Sequence, residues 1–144
     1  MATRYHHAQR GILMVVVMLL AAVVSAACGY FTPPPSQQWL LWVFAIGFVM
    51  LAWLFSSLVV EVTENEFCWH FGPGIWTYRV PLSDIDNVQV VRNKLWNGFG
   101  IRMRPGFRLF NVSGFDAVEL RLKTGDICRI GTDDAQGLAA ALKS

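Results

Sequence analysis

The segment from Trp39 to Val60, WLLWVFAIGFVMLAWLFSSLVV, limits what this chain can fold into more than any other. It holds 22 residues and no charged side chain. At about 1.5 Å per residue, a helix of that length crosses the roughly 30 Å hydrocarbon core of a bilayer. A second uncharged run, Gly11 to about Tyr30, precedes it, and Thr32-Pro33-Pro34-Pro35-Ser36-Gln37-Gln38 lies between the two. Consecutive prolines cannot continue a helix, since each lacks the N–H donor and fixes φ. So short a link permits only an antiparallel helical hairpin. Trp39 and Trp42 open the second run where an interfacial aromatic belt sits. The spacing predicts a tail and hairpin over residues 1–60, with helices at about 11–30 and 39–60, and a separate water-soluble domain over 61–144.

The charges divide the chain at the same point. All ten Asp and Glu lie at or after Glu61, and the only earlier Lys or Arg are Arg4 and Arg10. Basic residues mark the cytoplasmic flank of a membrane helix, so both chain ends are expected in the cytoplasm, with Met1–Arg10 a solvated polar tail. A second reading takes Arg4, Arg10 and the run ending Val24-Ser25-Ala26-Ala27-Cys28 as a signal peptide, the lipoprotein type included. Ser25, where such a signal prefers a large aliphatic residue, and the length of the run favour a retained helix. Cys28, Cys68 and Cys128 have no C-x-x-C partner, and read as reduced, apolar fillers rather than a disulfide or zinc framework.

After Glu61 the pattern turns to period two. Leu58–Val62, Glu66–Phe71, Ile75–Val80, Asn87–Arg92, Phe107–Val112, Ala117–Lys123 and Ile127–Gly131 read as strands. Phe67, Trp69 and Phe71 take one face, Cys68 and His70 the other. Pro81–Ile85 breaks the sheet with one helical turn capped by Ser83 or Asp84, and Asn93–Gly106 is irregular. The last hairpin has two registers. A two-residue Thr124-Gly125 turn sets Arg129 across from Leu120. A three-residue turn pairing Leu120 with Ile130 and Leu122 with Cys128 keeps the buried face apolar and is preferred. Ala135, Leu138, Ala139 and Leu142 form one stripe of a final helix, with Thr132 or Asp133 as its cap. The sum is about seven short antiparallel strands and a C-terminal helix that plugs one end of a bent sheet or barrel.

Several stretches resemble bacterial pleckstrin-homology-like (PH-like) domains. They are Phe71-Gly72-Pro73-Gly74-x-Trp76, Val80-Pro81-Leu82-x-Asp84-Ile85, Val91-Arg92-Asn93, Gly98-x-Gly100-Ile101-Arg102, Asn111-Val112-Ser113-Gly114, Asp116–Leu120 and Arg129-Ile130-Gly131-Thr132. The similarity runs from about Val59 to the end. It implies an α+β membrane protein of the bacterial inner membrane, in which the two-helix hairpin leads into a seven-stranded antiparallel bent sheet or barrel closed by a C-terminal helix. It implies no catalytic residue and no cofactor, and a shared fold does not carry over phosphoinositide binding.

Between Asp86 and Asp116 lie Arg92, Lys94, Arg102, Arg104 and Arg108 and no acid, with Trp96, Phe99, Phe107 and Phe110 interleaved. Arg92, Lys94, Trp96, Arg102, Arg104 and Arg108 form the candidate ligand or membrane-surface site. A basic, aromatic stretch on a tethered domain suits anionic head groups, at roughly 1 kcal/mol per basic residue near the surface. The plainer alternative is a set of solvated strand and loop arginines. The domain after Glu61 is neutral and carries no nucleic-acid motif, so nucleic acid is not expected. Cys68 and His70 share a strand face, but no second pair completes a metal site. Asn111-Val112-Ser113 matches a glycosylation sequon and reads as a turn. Ser113 lacks the G-x-S-x-G context, and Gly98-x-Gly100 opens no helix. Asp84 and Asp86 read as caps. The expectation is a non-enzymatic, membrane-tethered module that binds lipid or protein. The alternative is an accessory subunit packing its helices on another membrane protein or on a second copy.

Overall fold

A computed structural model describes residues 3–33, 37–94 and 100–144. The chain opens with β1 (Thr3–Arg10), passes through α1 (Ile12–Phe31) and α2 (Gln38–Leu54), and enters β2 (Ser57–Thr63), β3 (Glu66–Phe71) and β4 (Thr77–Pro81). A 3-10 turn at Leu82–Asp84 leads to β5 (Ile85–Arg92), β6 (Gly100–Arg104), β7 (Phe107–Asn111), β8 (Asp116–Leu122), β9 (Ile127–Gly131) and α3 (Ala135–Lys143). The architecture is α+β. One sheet has the order β1-β2-β3-β4, the other β5-β8-β9-β7-β6.

The helical hairpin is an insertion between two paired strands. β1 and β2 run antiparallel from Thr3↔Thr63 to Arg10↔Ser57. Gly11 alone separates β1 from α1, and Phe55 and Ser56 separate α2 from β2. The Gly11 N–H donates to the Ser56 carbonyl at 2.8 Å and closes the base of the hairpin. Only glycine fits there, because a Cβ at position 11 would lie 2.4 Å from the Phe55 carbonyl oxygen. Gly72 presses on the same base from β3: its N–H donates to the Ser57 carbonyl, and a Cβ would meet the Leu54 carbonyl at 2.4 Å.

The helices meet through small residues. Ala22 and Gly29 of α1 and Ala45 and Ala52 of α2 are buried. A Cβ on Gly29 would approach Leu41 and Trp42 at 3.3 Å, so the two helices pass closely there. The large apolar side chains point outward, from Ile12 and Val23 on α1 to Phe44 and Met50 on α2. α1 is long and apolar enough to cross a bilayer. α2 has 17 residues, about 26 Å at the helical rise.

The two sheets pack face to face. Leu58, Val60 and Val62 of β2 and Phe67, Trp69 and Phe71 of β3 meet Val118 and Leu120 of β8, Ile130 of β9 and Phe110 of β7. An aromatic cluster ties them together. Trp69 stacks on Tyr78 at 5.6 Å, and Phe110 lies 5.2 Å from Trp69 and 4.7 Å from Tyr78. Phe55, at the exit of α2, joins it through Phe71 at 5.2 Å, so the hairpin base is continuous with the core. Leu138 and Ala139 of α3 cover one end of the core.

Several expectations need correction. The polar tail is a strand: Tyr5, His7 and Gln9 turn inward while Arg4, His6, Ala8 and Arg10 face out. Its alternation escaped the hydrophobic pattern because two of its inward residues, His7 and Gln9, are polar. The second helix stops at Leu54 rather than near residue 60, since Val59, Val60 and Val62 join the ladders of β1 and β3. Nine strands are described rather than about seven, in two open sheets, and β7 pairs with β9 in parallel. β6 falls within the stretch read as irregular. The last hairpin closes on three residues, with the Leu122 N–H donating to the Asp126 carbonyl. Leu120 therefore pairs with Cys128 and Val118 with Ile130. That register is two residues from the preferred one, a shift that keeps every side chain on its face and leaves Cys128 in the core. Asp134, not Thr132 or Asp133, caps α3, and no side chain caps the 3-10 turn.

Gly11→Ala should cost about 1–3 kcal/mol, because the Cβ would press on the Phe55 carbonyl at 2.4 Å and on Val112 Cβ at 3.1 Å. Gly47→Ala, with nothing within 4 Å of the added methyl, should be neutral or stabilise by up to about 1 kcal/mol. Thermal unfolding of the two variants in detergent checks the contrast.

Candidate functional site

Loops gather at the hairpin end of the sheets. Gln9 Nε2, next to Arg10, donates to the Ser113 carbonyl at 2.9 Å, which brings the β7–β8 turn beside the end of β1. The Asn93 N–H donates to the Phe115 carbonyl, so the end of β5 joins the same group. The β3–β4 loop, Gly72–Trp76, arrives through the Gly72–Ser57 bond. Arg10, Arg92 and Lys94 are exposed here. Ile75 and Trp76 are exposed too, at 60% each. The reason lies in the local sequence. Phe71-Gly72-Pro73-Gly74 makes a tight turn with Gly72 and Gly74 at positive φ, and it delivers the next two residues outside the sheet.

The candidate basic residues divide. Arg92 ends β5 opposite Asp116, and Lys94 follows two residues later. Arg102 and Arg104 lie on one face of β6, with Leu109 and Phe107 as their partners on β7. Arg108 pairs with Met103 and so takes the other face. Arg104 and Arg108 flank the Pro105–Gly106 turn. That turn lies at the opposite end of the strand from Gly100↔Asn111, about 13 Å along β6 at the strand rise. The described basic residues are therefore brought together as two groups, one at the hairpin end and one at the β6–β7 turn. Trp96 lies outside the described residues. Arg10, Ile75 and Trp76 were not among the site residues expected from the sequence. Arg10 was assigned to a tail, and Ile75-Trp76 to a strand that in fact begins at Thr77.

Other polar side chains hold the scaffold. Arg129 Nε donates to Glu119 Oε2 at 3.1 Å, Nη2 donates to the same oxygen, and Nη1 donates to Asn93 Oδ1 at 3.1 Å. Its guanidinium also lies over the Phe107 ring at 5.3 Å. One arginine thus fixes the end of β5 against β7, β8 and β9. Asn111 is buried and ties the β7–β8 turn: the Ser113 N–H donates to its Oδ1, and its Nδ2 donates to the Gly114 carbonyl. Gly131 makes room for it, since a Cβ there would stand 2.2 Å from Asn111 Oδ1.

β1 also clasps the start of α3. The Tyr5 hydroxyl donates to Asp134 Oδ2 at 2.8 Å, and His7 Nε2 contacts Asp133 Oδ1. Asp134 in turn accepts from the Gly137 N–H as cap. Burial first, then the Asp134 carboxylate, push the Tyr5 phenol above its ordinary pKa. The Tyr5 hydroxyl first, then the Gly137 N–H, hold the Asp134 carboxyl below its usual value. Burial drives the Cys128 thiol up to about 12, and raises Cys68 as well. Both thiols are protonated and weak nucleophiles at neutral pH. Among the described residues no three His, Cys, Asp or Glu side chains gather as metal ligands.

A groove of about 500 Å³ runs between α2 and the β3–β4 loop, lined by Gly47, Met50, Leu51, Trp53, Leu54, Ile75 and Trp76. Its size falls in the ligand-pocket range of roughly 300–1,000 Å³, but it lacks the convergent polar groups that orient a small polar ligand.

No protein-family model matches the chain, and no curated protein is significantly similar to it.

A carboxyl whose pKa falls on folding adds stability above its unfolded pKa, and that stability fades as pH drops through the lower folded value. For Asp134 the unfolded reference is 3.8. Tyr5→Phe should therefore lower the Tm near neutral pH, and the deficit should shrink below about pH 4. A deficit that stays constant into strong acid contradicts the role given to the Tyr5–Asp134 bond.

Proposed function

We propose that this chain is a non-enzymatic, membrane-tethered module whose β domain is held at the cytoplasmic face of a bacterial inner membrane, where it binds lipid head groups or protein. The observation that carries the reading is the insertion of the apolar hairpin between paired strands. Both helix ends join the sheet through one or two residues, so the domain has a fixed distance and orientation relative to the hairpin. The outward apolar side chains of α1 and α2 need a non-aqueous surrounding, because soluble proteins rarely leave so continuous an apolar surface in water. α2 is shorter than the usual span, and its flanking Trp39 and Trp53 suit the two interfaces. Arg4 and Arg10, ahead of α1, favour a cytoplasmic placement of that end. β1 also speaks for a retained first helix, since cleavage near Cys28 would remove an edge strand and the clasp on α3.

Anionic head groups are the counter-charge that Arg10, Arg92 and Lys94 fit at the hairpin end. The PH-like relationship remains part of the proposal. The β2-β3-β4 meander and the helix over one end of the core favour it, and the parallel β7–β9 pair departs from it. A second reading, an accessory subunit or a self-associating one, draws on the apolar groove along the hairpin. Ala22 and Ala26 of α1 face Ala45 and Val49 of α2 there, leaving room for another helix.

Cysteines placed at Thr3 and at Ser144, in a chain with Cys28 and Cys68 replaced by Ser, test the topology in sealed vesicles. Both should react with a membrane-impermeant maleimide from the cytoplasmic side only. Reaction of the two from opposite sides overturns the hairpin reading.

A further inference from the structure

We infer that the β3–β4 loop is a membrane-dipping element: Ile75 and Trp76 enter the phospholipid interface of the leaflet from which α2 emerges. The inference rests on the proposal that the hairpin spans a bilayer and adds a second, non-helical contact to it. Two large apolar side chains at the tip of a turn would be a liability in water, and the structure does not fold them back. Backbone contacts decide where they go. The Gly72 N–H bonds to the Ser57 carbonyl at 2.8 Å, and the Gly74 N–H closes the turn on the Phe71 carbonyl at 2.9 Å. Gly72 lies so close to α2 that a Cβ would touch the Leu54 carbonyl. The loop is therefore held at the level of the last turn of α2.

At that level the apolar surface is continuous. Ile75 and Trp76 line one groove with Met50, Trp53 and Leu54, so whatever solvates α2 also solvates the loop. If α2 is in lipid, the occupant of that groove is lipid. Trp53 and Trp76 are both exposed there, and an indole, apolar with one N–H donor, is the side chain that settles at the acyl–head-group boundary. Arg10, Arg92 and Lys94 belong to the same end of the domain and supply charge for anionic head groups. A polar small molecule would find no groups in the groove to orient it.

Fluorescence quenching in the full-length protein tests the inference. Cys28 and Cys68 are replaced by Ser. Cys128 stays, because burial keeps its thiol protonated and out of reach. Trp76→Cys carries an environment-sensitive fluorophore in phosphatidylcholine–phosphatidylglycerol vesicles, and Ile75→Cys serves if Trp76→Cys does not fold. Labels at Ile46→Cys, within α2, and at Lys123→Cys, in the β8–β9 turn, are the references. A nitroxide lipid labelled near the head of its acyl chain should reduce emission at position 76 roughly twofold, as expected for a depth of about 5–10 Å. A lipid labelled near the methyl end should quench position 46 more than position 76, and neither lipid should quench position 123. Quenching at 46 without quenching at 76 overturns the inference alone, whether water or another protein chain covers the loop. Absence of quenching at both positions removes the hairpin reading and the inference with it.

Discussion

The backbone bond from Gly11 to the Ser56 carbonyl joins two kinds of structure that obey different rules. On one side are helices whose backbone groups are satisfied internally and whose apolar side chains face out. On the other are strands that must find partners. An insertion of two helices into a β-hairpin is stable only if the flanking strands still pair, and here β1 and β2 pair from the bond outward over their whole length. Gly11 and Gly72 let three strand ends and the end of α2 crowd together at backbone distance. Phe55 and Phe71 then carry the contact into the aromatic cluster around Phe110. The base of the hairpin is thus built from the same core as the sheets.

That arrangement shapes the candidate site. Because the hairpin leaves from one end of the β1–β2 pair, the loops at that end of both sheets are gathered beside the helices. Arg10, Arg92, Lys94, Ile75 and Trp76 come from three separate parts of the chain and share that end. Arg104 and Arg108 flank a turn at the far end of the β6–β7 hairpin and are set by its register. A contiguous basic run in sequence is therefore two surfaces in space. Arg129, which entered the sequence reading only through the hairpin register and the family resemblance, joins β9 to β8, β7 and the end of β5 through Glu119, Phe107 and Asn93.

Much of this was legible from residue order, and the misses have physical causes. The inward faces of β2, β3, β8 and β9 follow from strict alternation of large apolar residues, and the α3 stripe from its 3.6-residue period. β3 and β9 were placed to the residue. β1 was not legible, because its inward residues find polar partners. Tyr5 bonds Asp134, His7 contacts Asp133 and Gln9 bonds the Ser113 carbonyl, so long-range hydrogen bonds replace the hydrophobic signal. The end of α2 was hidden since Leu54 to Val60 carries no charge and only Ser56 and Ser57 interrupt its apolar run, and pairing with β1 and β3 decides helix against strand. The parallel β7–β9 contact is a tertiary choice that local sequence does not encode. The register of the last hairpin was missed by two residues because both alternatives bury the same face.

The chain before the first helix pairs with the chain after the second, so that the hairpin is a tethered insertion. Ala8 and Val59 are partners in the β1–β2 ladder, and Val59 and His70 in the β2–β3 ladder. With Cys68 replaced by Ser, oxidative crosslinking of Ala8→Cys with Val59→Cys in native membranes, read by mass spectrometry of the joined peptides, tests it most directly. The structure predicts a crosslink as efficient as that of the Val59→Cys, His70→Cys reference pair. Efficient joining of the reference pair with none between positions 8 and 59 would contradict it.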